Sequence, residues 1–493
     1  MASMTRRVVY VLVCVTGFFT IPAVAKAPGV EVFARHNKVQ NVQISPDGKH
    51  IAFNFEAENN EVKLAIASSD LSRIVHVLGY GKNHHLGNHF WVSNTRILSW
   101  EWRNTGNLDG RRQFRQLIGL DFDGENREIL FVPERSSIEI YSRFRADPEH
   151  IIVGKRHWRD EGQVSLYKLN VMDGELDFLG GLPFASAESR IVDMAVDLGG
   201  ELRLAIENYE GEDEYDPDDD TSYVHYKSRS GDWKRLDVKS ARSRPKFLNL
   251  GFDGSNRILY FLSDYDVPRN DPSVRGTLGV FSFNFDTEKV NLVFRHPDVD
   301  IERGLYGPQG EVLGVRYEPG YPQHHYFDSE DADTKLWLAM EATFPGQQVT
   351  ISNYTWDEER AVVHVYSDKN PGTYYLFGDG KLRHIADVQP EIDPDWLGSQ
   401  EAFTMSARDG VKLYGFLTLP PGNNDKNLPM VVNPHGGPHG PYDEWGYDRD
   451  VQMLAAHGYA VLQVNFRGSG GYGDDFERSG WRQWGRKMQD DVT

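Results

Sequence analysis

Two glycine-rich loops near the end of the chain hold the residues best suited to chemistry. One is Pro434-His435-Gly436-Gly437-Pro438-His439-Gly440, and the other is Asn465-Phe466-Arg467-Gly468-Ser469-Gly470-Gly471-Tyr472-Gly473. A tetrahedral intermediate of acyl transfer carries a negative oxygen, and fixed backbone N–H donors must reach it at hydrogen-bond distance. Side chains beyond Cα obstruct that approach, so Gly436 and Gly437 fit the need. Losing one such donor costs about 3–4 kcal/mol of transition-state stabilisation. A lone Gly-Gly also makes a plain tight turn. Here an apolar run precedes it, prolines flank it and a second glycine-rich loop follows, which together favour an oxyanion loop.

These loops need elements to hold them. Glu401–Ser406 and Lys412–Leu419 read as strands joined at Asp409-Gly410, and Leu428–Asn433 and Tyr459–Val464 read as buried-type strands. Asp448–His457 has apolar residues at helical spacing, stopped by Gly458, and a further helix starts at Trp484. Strand, loop, helix, strand, loop, helix opens an α/β parallel sheet. An antiparallel start followed by a His-Gly-Gly loop is how an α/β-hydrolase sheet begins. In this order of strands Tyr459–Val464 is expected at the open edge, making the chain prone to aggregate there.

The preceding 39–397 has a different texture. A turn rich in Asp, Asn, Gly or Pro leads into a short β-branched or aromatic run, as Ser45-Pro46-Asp47-Gly48 leads into Ile51-Ala52-Phe53 and Asp253-Gly254 into Ile258–Phe261. The phrase recurs through seven units of roughly 50 residues, in the range that signals a propeller or solenoid. A second turn in each unit (for example Asp123-Gly124, Asp173-Gly174, Asp379-Gly380) supplies another hairpin, giving four strands per unit. The expected fold is a seven-bladed β-propeller followed by the N-terminal part of an α/β-hydrolase domain over 398–493. A ring of blades leaves few free sheet edges.

Within the repeats, Glu101, Arg103, Trp100 and Trp102 are candidates to face a substrate funnel, though alternating strand residues look the same when they only pack. The acidic stretch Glu210–Asp220, with Glu210, Glu212 and Glu214, reads as a solvated loop. It lacks the order of an EF-hand loop. No cofactor and no metal are expected.

Bulk properties narrow the class. Asp and Glu outnumber Lys and Arg by 73 to 53 in 493 residues, a formal charge of −20. That argues against nucleic acid, whose binding needs a basic face. Residues 1–25 read as an export signal, with Arg6 and Arg7, an apolar run and the Ala23-Val24-Ala25 cleavage site, and 26–38 as an N-terminal segment. The expected location is therefore exported, periplasmic or secreted, with no stable membrane span after cleavage. Cys14 is the only cysteine and lies within this signal, which excludes disulfides and thiol chemistry from the remainder.

The Ser45–Lys49 phrase, His435-Gly436-Gly437-Pro438, the Asn465–Gly473 loop and Trp484-Gly485 through Asp490-Asp491 together resemble the prolyl oligopeptidase family, and its acylaminoacyl-peptidase-like branch most closely. The resemblance implies a propeller capping a serine hydrolase that cleaves short peptides. It makes the N–H of Gly437 one oxyanion donor, beside the loop residue Gly436, with His435 and Pro438 shaping the loop. No Gly-x-Ser-x-Gly occurs in the 493 residues. Ser469 follows Arg467 at two positions and Ser479 follows Glu477, so neither forms a nucleophile elbow. In this fold the order is Ser, then Asp, then His. The triad is therefore expected beyond Thr493, and these residues alone are expected to be inactive. The alternatives are a non-catalytic propeller that binds ligands, and an esterase of the same hydrolase fold. Oligomeric state is open.

Overall fold

A computed structural model of the chain describes residues 28–493, apart from 36, 58–60, 83, 105–112, 143–144, 158–162, 185–188, 210–220, 237–245, 265–274, 423–425 and 438. The export signal with Cys14, the acidic stretch 210–220 and Pro438 lie outside the described residues.

Up to residue 387 the chain runs as successive antiparallel groups. They comprise 40–78, 84–131, 136–178, 190–236, 247–294, 301–326 and 348–387. The first two groups join through one parallel bridge, Val62 to His85, so the hydrogen-bonded sheets number six, the first with eight strands. The group at 301–326 has three strands, where the repeat predicts four. Its place is followed by a helix, Ala332–Thr343, that the repeat phrase does not anticipate. Asp331 caps it, its carboxylate accepting the N–H of Asp333 and Thr334. Trp337 of this helix is buried against Leu305 and Leu313.

The turns explain the strands they join. Gly48 sits at φ +71, its N–H donating to the Ser45 carbonyl at 2.9 Å, while Asp47 takes the Ser45 hydroxyl at 2.8 Å. Such reversals need a residue that tolerates positive φ. Consecutive groups share apolar cores: Leu98, Leu117, Ile151 and Val153 join the second to the third, and Leu204, Val224, Phe261 and Phe283 the fourth to the fifth. The last group closes on the first. Val42, Ile44 and Ile51 pack with Val362 and Leu376, and the Asn353 side chain bonds both the N–H and the carbonyl of Ile44, at 3.0 and 2.7 Å.

The second unit begins at Gly398. Its sheet runs Ser399–Ser406, Lys412–Leu419, Ala460–Asn465, Met430–Val432, with the last pair parallel and the others antiparallel. Ala460–Asn465 is thus an interior strand. This corrects the expectation that it forms the open edge: the crossover through the helix Arg449–Ala456 returns the chain between the hairpin and Met430–Val432. The edge is Met430–Val432, with Met430 and Val432 exposed, so that strand is not the buried type its composition suggests. The helix is capped by Asp448 and ends at Gly458, which sits at φ +90. The Gln452 side chain bonds both the N–H and the carbonyl of Gly398, at 2.8 and 3.0 Å, and the Asp368 carbonyl at 2.9 Å, stapling the start of this unit to the last group of the ring.

Candidate functional site

The two glycine-rich loops follow the C-terminal ends of Met430–Val432 and Ala460–Asn465, neighbouring parallel strands, and so emerge side by side. This is where open α/β sheets place ligands. The loops meet backbone to backbone. The His439 N–H donates to the Gly468 carbonyl at 3.0 Å, and a Cβ at Gly470 would stand 2.3 Å from the Gly440 carbonyl oxygen. Gly437 is exposed and adopts φ +108, and a Cβ there would come within 2.9 Å of the Pro441 ring. Gly436 is also exposed, with nothing near its would-be Cβ. Among the described residues no acceptor takes the N–H of Gly436 or Gly437. A free, exposed backbone donor held at a glycine-only conformation is suited to a developing oxyanion.

His435 stands behind this donor. Its Nδ1 lies 2.9 Å from the Gly436 carbonyl oxygen, its Nε2 2.8 Å from Ser469 Oγ, and its ring stacks on Phe466 at 4.5 Å between centroids. Ser and His at this separation have the spacing of a nucleophile and its base. Ser469, however, is completely buried, with Oγ also 2.7 Å from the Phe466 carbonyl oxygen, and His435 Nδ1 faces a carbonyl where a triad places a carboxylate. Asp443, the nearby acid, accepts from Gln463 Nε2 at 2.9 Å, and burial raises its pKa. Ser469, completely buried, is closed to substrate and supports the loop through His435.

The second loop is fixed by charge. Arg467 is buried and binds two carboxylates in forked geometry: Asp491 at 2.7 Å through both Nε and Nη2, and Asp409 at 2.8 and 2.9 Å. The Asp491 carboxylate also takes the Arg467 N–H at 3.0 Å. Lys487 adds to the Asp409 carboxylate at 3.1 Å, and its two cations hold Asp409 below the usual carboxylate range. One guanidinium therefore ties the hairpin turn, the loop and the helix Lys487–Val492 together. Asn465, fully buried, bonds the Asp443 backbone through both its carbonyl and its amide, and Tyr472 Oη at 2.7 Å.

The ring grips the same loop. The Asp300 N–H donates to the Gly471 carbonyl at 2.8 Å, and the N–H groups of Asp474 and Asp475 donate to the carbonyls of Gly276 and Arg275. Burial raises the Asp300 carboxyl to about 6. Nearby, Arg316 of the ring is paired with Glu302, with Glu318 at 2.5 Å and with Glu444 of the second unit at 3.8 Å. Glu318 also takes the Trp445 N–H at 2.5 Å, and burial raises its carboxyl to about 7. These three carboxylates converge closely enough to hold a cation, but the Arg316 guanidinium already serves them.

The funnel candidates divide. Glu101 is buried and engaged by His84 at 2.9 Å and Gln116 at 2.5 Å, and Trp102 stacks on His85. Trp100 lines a cavity of about 410 Å³ with Glu139 and Arg156. The Arg103 side chain lies outside the described residues. Beside the Pro434–Gly440 loop, His439, Glu477, Trp481 and Trp484 line an open cleft of about 870 Å³. Sequence reasoning singled out Gly436, Gly437 and His435 but missed Asp443, Asp409 and Asp300. An acid beside each glycine-rich loop or on a turn carries no distinguishing spacing.

The prolyl oligopeptidase family model matches residues 445–493. Over 486 residues the chain is 26% identical to a dipeptidyl aminopeptidase BIII of Pseudoxanthomonas mexicana, covering 95% of this chain and 66% of that protein. It is 43% identical over 157 residues to the human acylamino-acid-releasing enzyme, covering 29% of this chain and 21% of that one. The fold matches that of a solved prolyl endopeptidase with a TM-score of 0.61 at 14% identity, over 95% of this chain and 67% of the other. The chain thus spans just under two thirds of the length of its bacterial relative. The family model thus matches a segment that includes the Asn465–Gly473 loop, and similarity to a peptidase runs along nearly the whole chain.

Proposed function

We propose that this chain supplies the substrate-filtering ring and one oxyanion donor of a serine-type peptidase that hydrolyses short oligopeptides. The ring is read as seven blades, divided at the single Val62–His85 bridge. The observation that carries the reading is the Gly437 N–H, exposed, unpartnered among the described residues and fixed at φ +108 at the C-terminal end of the sheet. No Gly-x-Ser-x-Gly occurs in these 493 residues, so the nucleophile is assigned to none of them. Serine attack on the scissile carbonyl would then place the developing oxyanion against Gly437, with a second donor from the residue after the nucleophile. Residues 1–25 direct the protein out of the cytoplasm.

Two measurements test this. The 493-residue chain is expected to resist fluorophosphonate labelling, and stoichiometric labelling would show that it holds a nucleophile after all. In the polypeptide extended past Thr493, peptide hydrolysis is expected, with Gly437→Ala lowering kcat about 10²-fold or more, the scale of losing one oxyanion donor. Absence of any peptide hydrolysis would favour the binding-protein reading, and hydrolysis of esters alone the esterase reading. Release of dipeptides is a narrower form of the proposal, favoured by the similarity to a dipeptidyl aminopeptidase. Blocking the substrate amine should then abolish turnover.

A further inference from the structure

We propose that the open cleft beside the Pro434–Gly440 loop is a carboxylate-reading subsite. It takes short peptides whose free carboxylate lies one or two residues from the scissile bond, with Arg482 and Arg486 as the anion-binding pair. The proposal rests on the peptidase reading and narrows its substrate class. The cleft, of about 870 Å³, is walled by Trp481 and Trp484, and both arginines line it. Trp484 is 68% exposed and Trp481 43%. Indole faces left open to water in a concave site suit the apolar body of a ligand. The charges decide the sign of that ligand. Glu477, the acid of the cleft, lies 3.9 Å from Lys246 of the ring. Arg478 lies over the Trp481 ring at 4.8 Å, but it is bonded to Asp474 at 2.6 Å, so its charge is met. Arg482 and Arg486 are exposed, and among the described residues neither guanidinium has an acceptor. Two unanswered cations therefore share one cleft in a chain of net charge −20. A guanidinium presents its N–H groups as a fork that matches a carboxylate.

Position sets the reach. The wall is held on the second glycine-rich loop, where a Cβ at Gly480 would stand 2.5 Å from the Gly468 Cα. Trp481 meets the His439 ring edge-on, with 6.1 Å between centroids. His439 is two residues from Gly437, and two residues of chain span at most about 7 Å. A substrate held with its scissile carbonyl at the Gly437 N–H therefore has the cleft within reach of the first or second residue beyond that carbonyl. A short peptide brings a carboxylate there by its C-terminus, or by an aspartate or glutamate side chain. A long chain, whose terminus lies far from the scissile bond, does not bring its C-terminus there. The cleft thus adds a charge criterion to the size criterion proposed for the ring.

The 493-residue chain itself gives the first test. It is labelled with fluorotryptophan, the Trp484 resonance is identified by its loss in Trp484→Phe, and acetyl-Ala-Phe-Ala and its C-terminal amide are titrated by fluorine NMR. Exposed ion pairs contribute up to about fivefold each, so the free acid should bind about tenfold more tightly than the amide at low salt. The gap should close in about 0.5 M NaCl and in the double variant Arg482→Gln, Arg486→Gln. Equal affinities, no binding of the acid, or a gap that survives the double substitution overturns the proposal. Should the double variant fail to fold, each single substitution should close about half of the gap on a logarithmic scale. Acetyl-Ala-Phe-Asp-amide against its asparagine counterpart separates the sources: tighter binding of the aspartate adds acidic side chains to the class, and equal binding restricts it to the C-terminus. In the extended polypeptide, the double substitution should lower the acid-to-amide ratio of kcat/KM about tenfold. No discrimination there, despite carboxylate binding by the 493-residue chain, would mean that another segment fills the cleft, and would overturn the proposal. A wild-type protein that hydrolyses no peptide removes the peptidase reading, while the titration still decides whether the cleft reads carboxylates.

Discussion

Arg467 shows how a buried charge can serve a loop. Its guanidinium is shared by Asp491, which is buried, and Asp409, which sits on an exposed turn. The two carboxylates are unequal partners. Removing one side of a buried ion pair costs about 3–5 kcal/mol because the other charge is stranded, whereas exposed pairs contribute at most about 1 kcal/mol. Asp491→Ala is therefore expected to lower the unfolding free energy by a few kcal/mol, and Asp409→Ala by far less, in denaturant titrations of the chain. Equal effects would mean that Asp491 is not the anchor. This clamp was invisible in the sequence. Asp409 and Asp491 lie 58 and 24 residues from Arg467, and only the fold brings them together. The Gly436-Gly437 pair was legible because glycine is demanded by backbone geometry, which acts locally. Ser469 was seen and set aside as a nucleophile, but its hydrogen bond across 34 residues to His435 had no local signal.

At the scale of elements, the repeat phrase disclosed the strands well because each turn enforces its own reversal through Asp, Asn or Gly. It failed where tertiary packing decides. The helix Ala332–Thr343 displaces the regular pattern after a three-stranded group, and its buried Trp337 fills the space beside Leu305 and Leu313. The order of strands in the second unit was also misread, since a crossover can return a strand to the interior. That correction moves the aggregation hazard to Met430–Val432, a short exposed edge with apolar side chains at both ends. Lysine at Met430 or Val432 is expected to reduce aggregation of the 493-residue chain, read by light scattering on heating. A charge introduced at Val461, which is fully buried in the interior strand, should instead prevent folding.

For the whole molecule, the junction between the ring and the second unit contains acids whose carboxyls burial shifts upward. Glu318, raised to about 7 by burial, is the clearest. A glutamate ordinarily titrates near 4.3. Between those values the folded protein binds a proton that the unfolded chain does not, so this group makes stability fall as pH rises from about 4.5 to 7. Below that window the neutral acid behaves like glutamine. The stability of Glu318→Gln relative to wild type is therefore expected to increase from pH 5 to pH 8, measured by thermal unfolding at each pH. A difference that stays constant with pH would show that Glu318 is already ionised across the range.

The connection at Gly398 is a single strand of chain, yet the backbone of residues 471–475 is bonded to Arg275, Gly276 and Asp300, and a Cβ at Gly473 would collide with the Arg275 carbonyl oxygen at 2.2 Å. The two halves are therefore not interchangeable parts. Recombination that exchanged rings between relatives at the linker would inherit a mismatched contact on the very loop that packs against the Gly436-Gly437 turn. Specificity that resides in the ring should consequently evolve together with residues 471–475, and grafting a foreign ring should succeed only when that short segment travels with it.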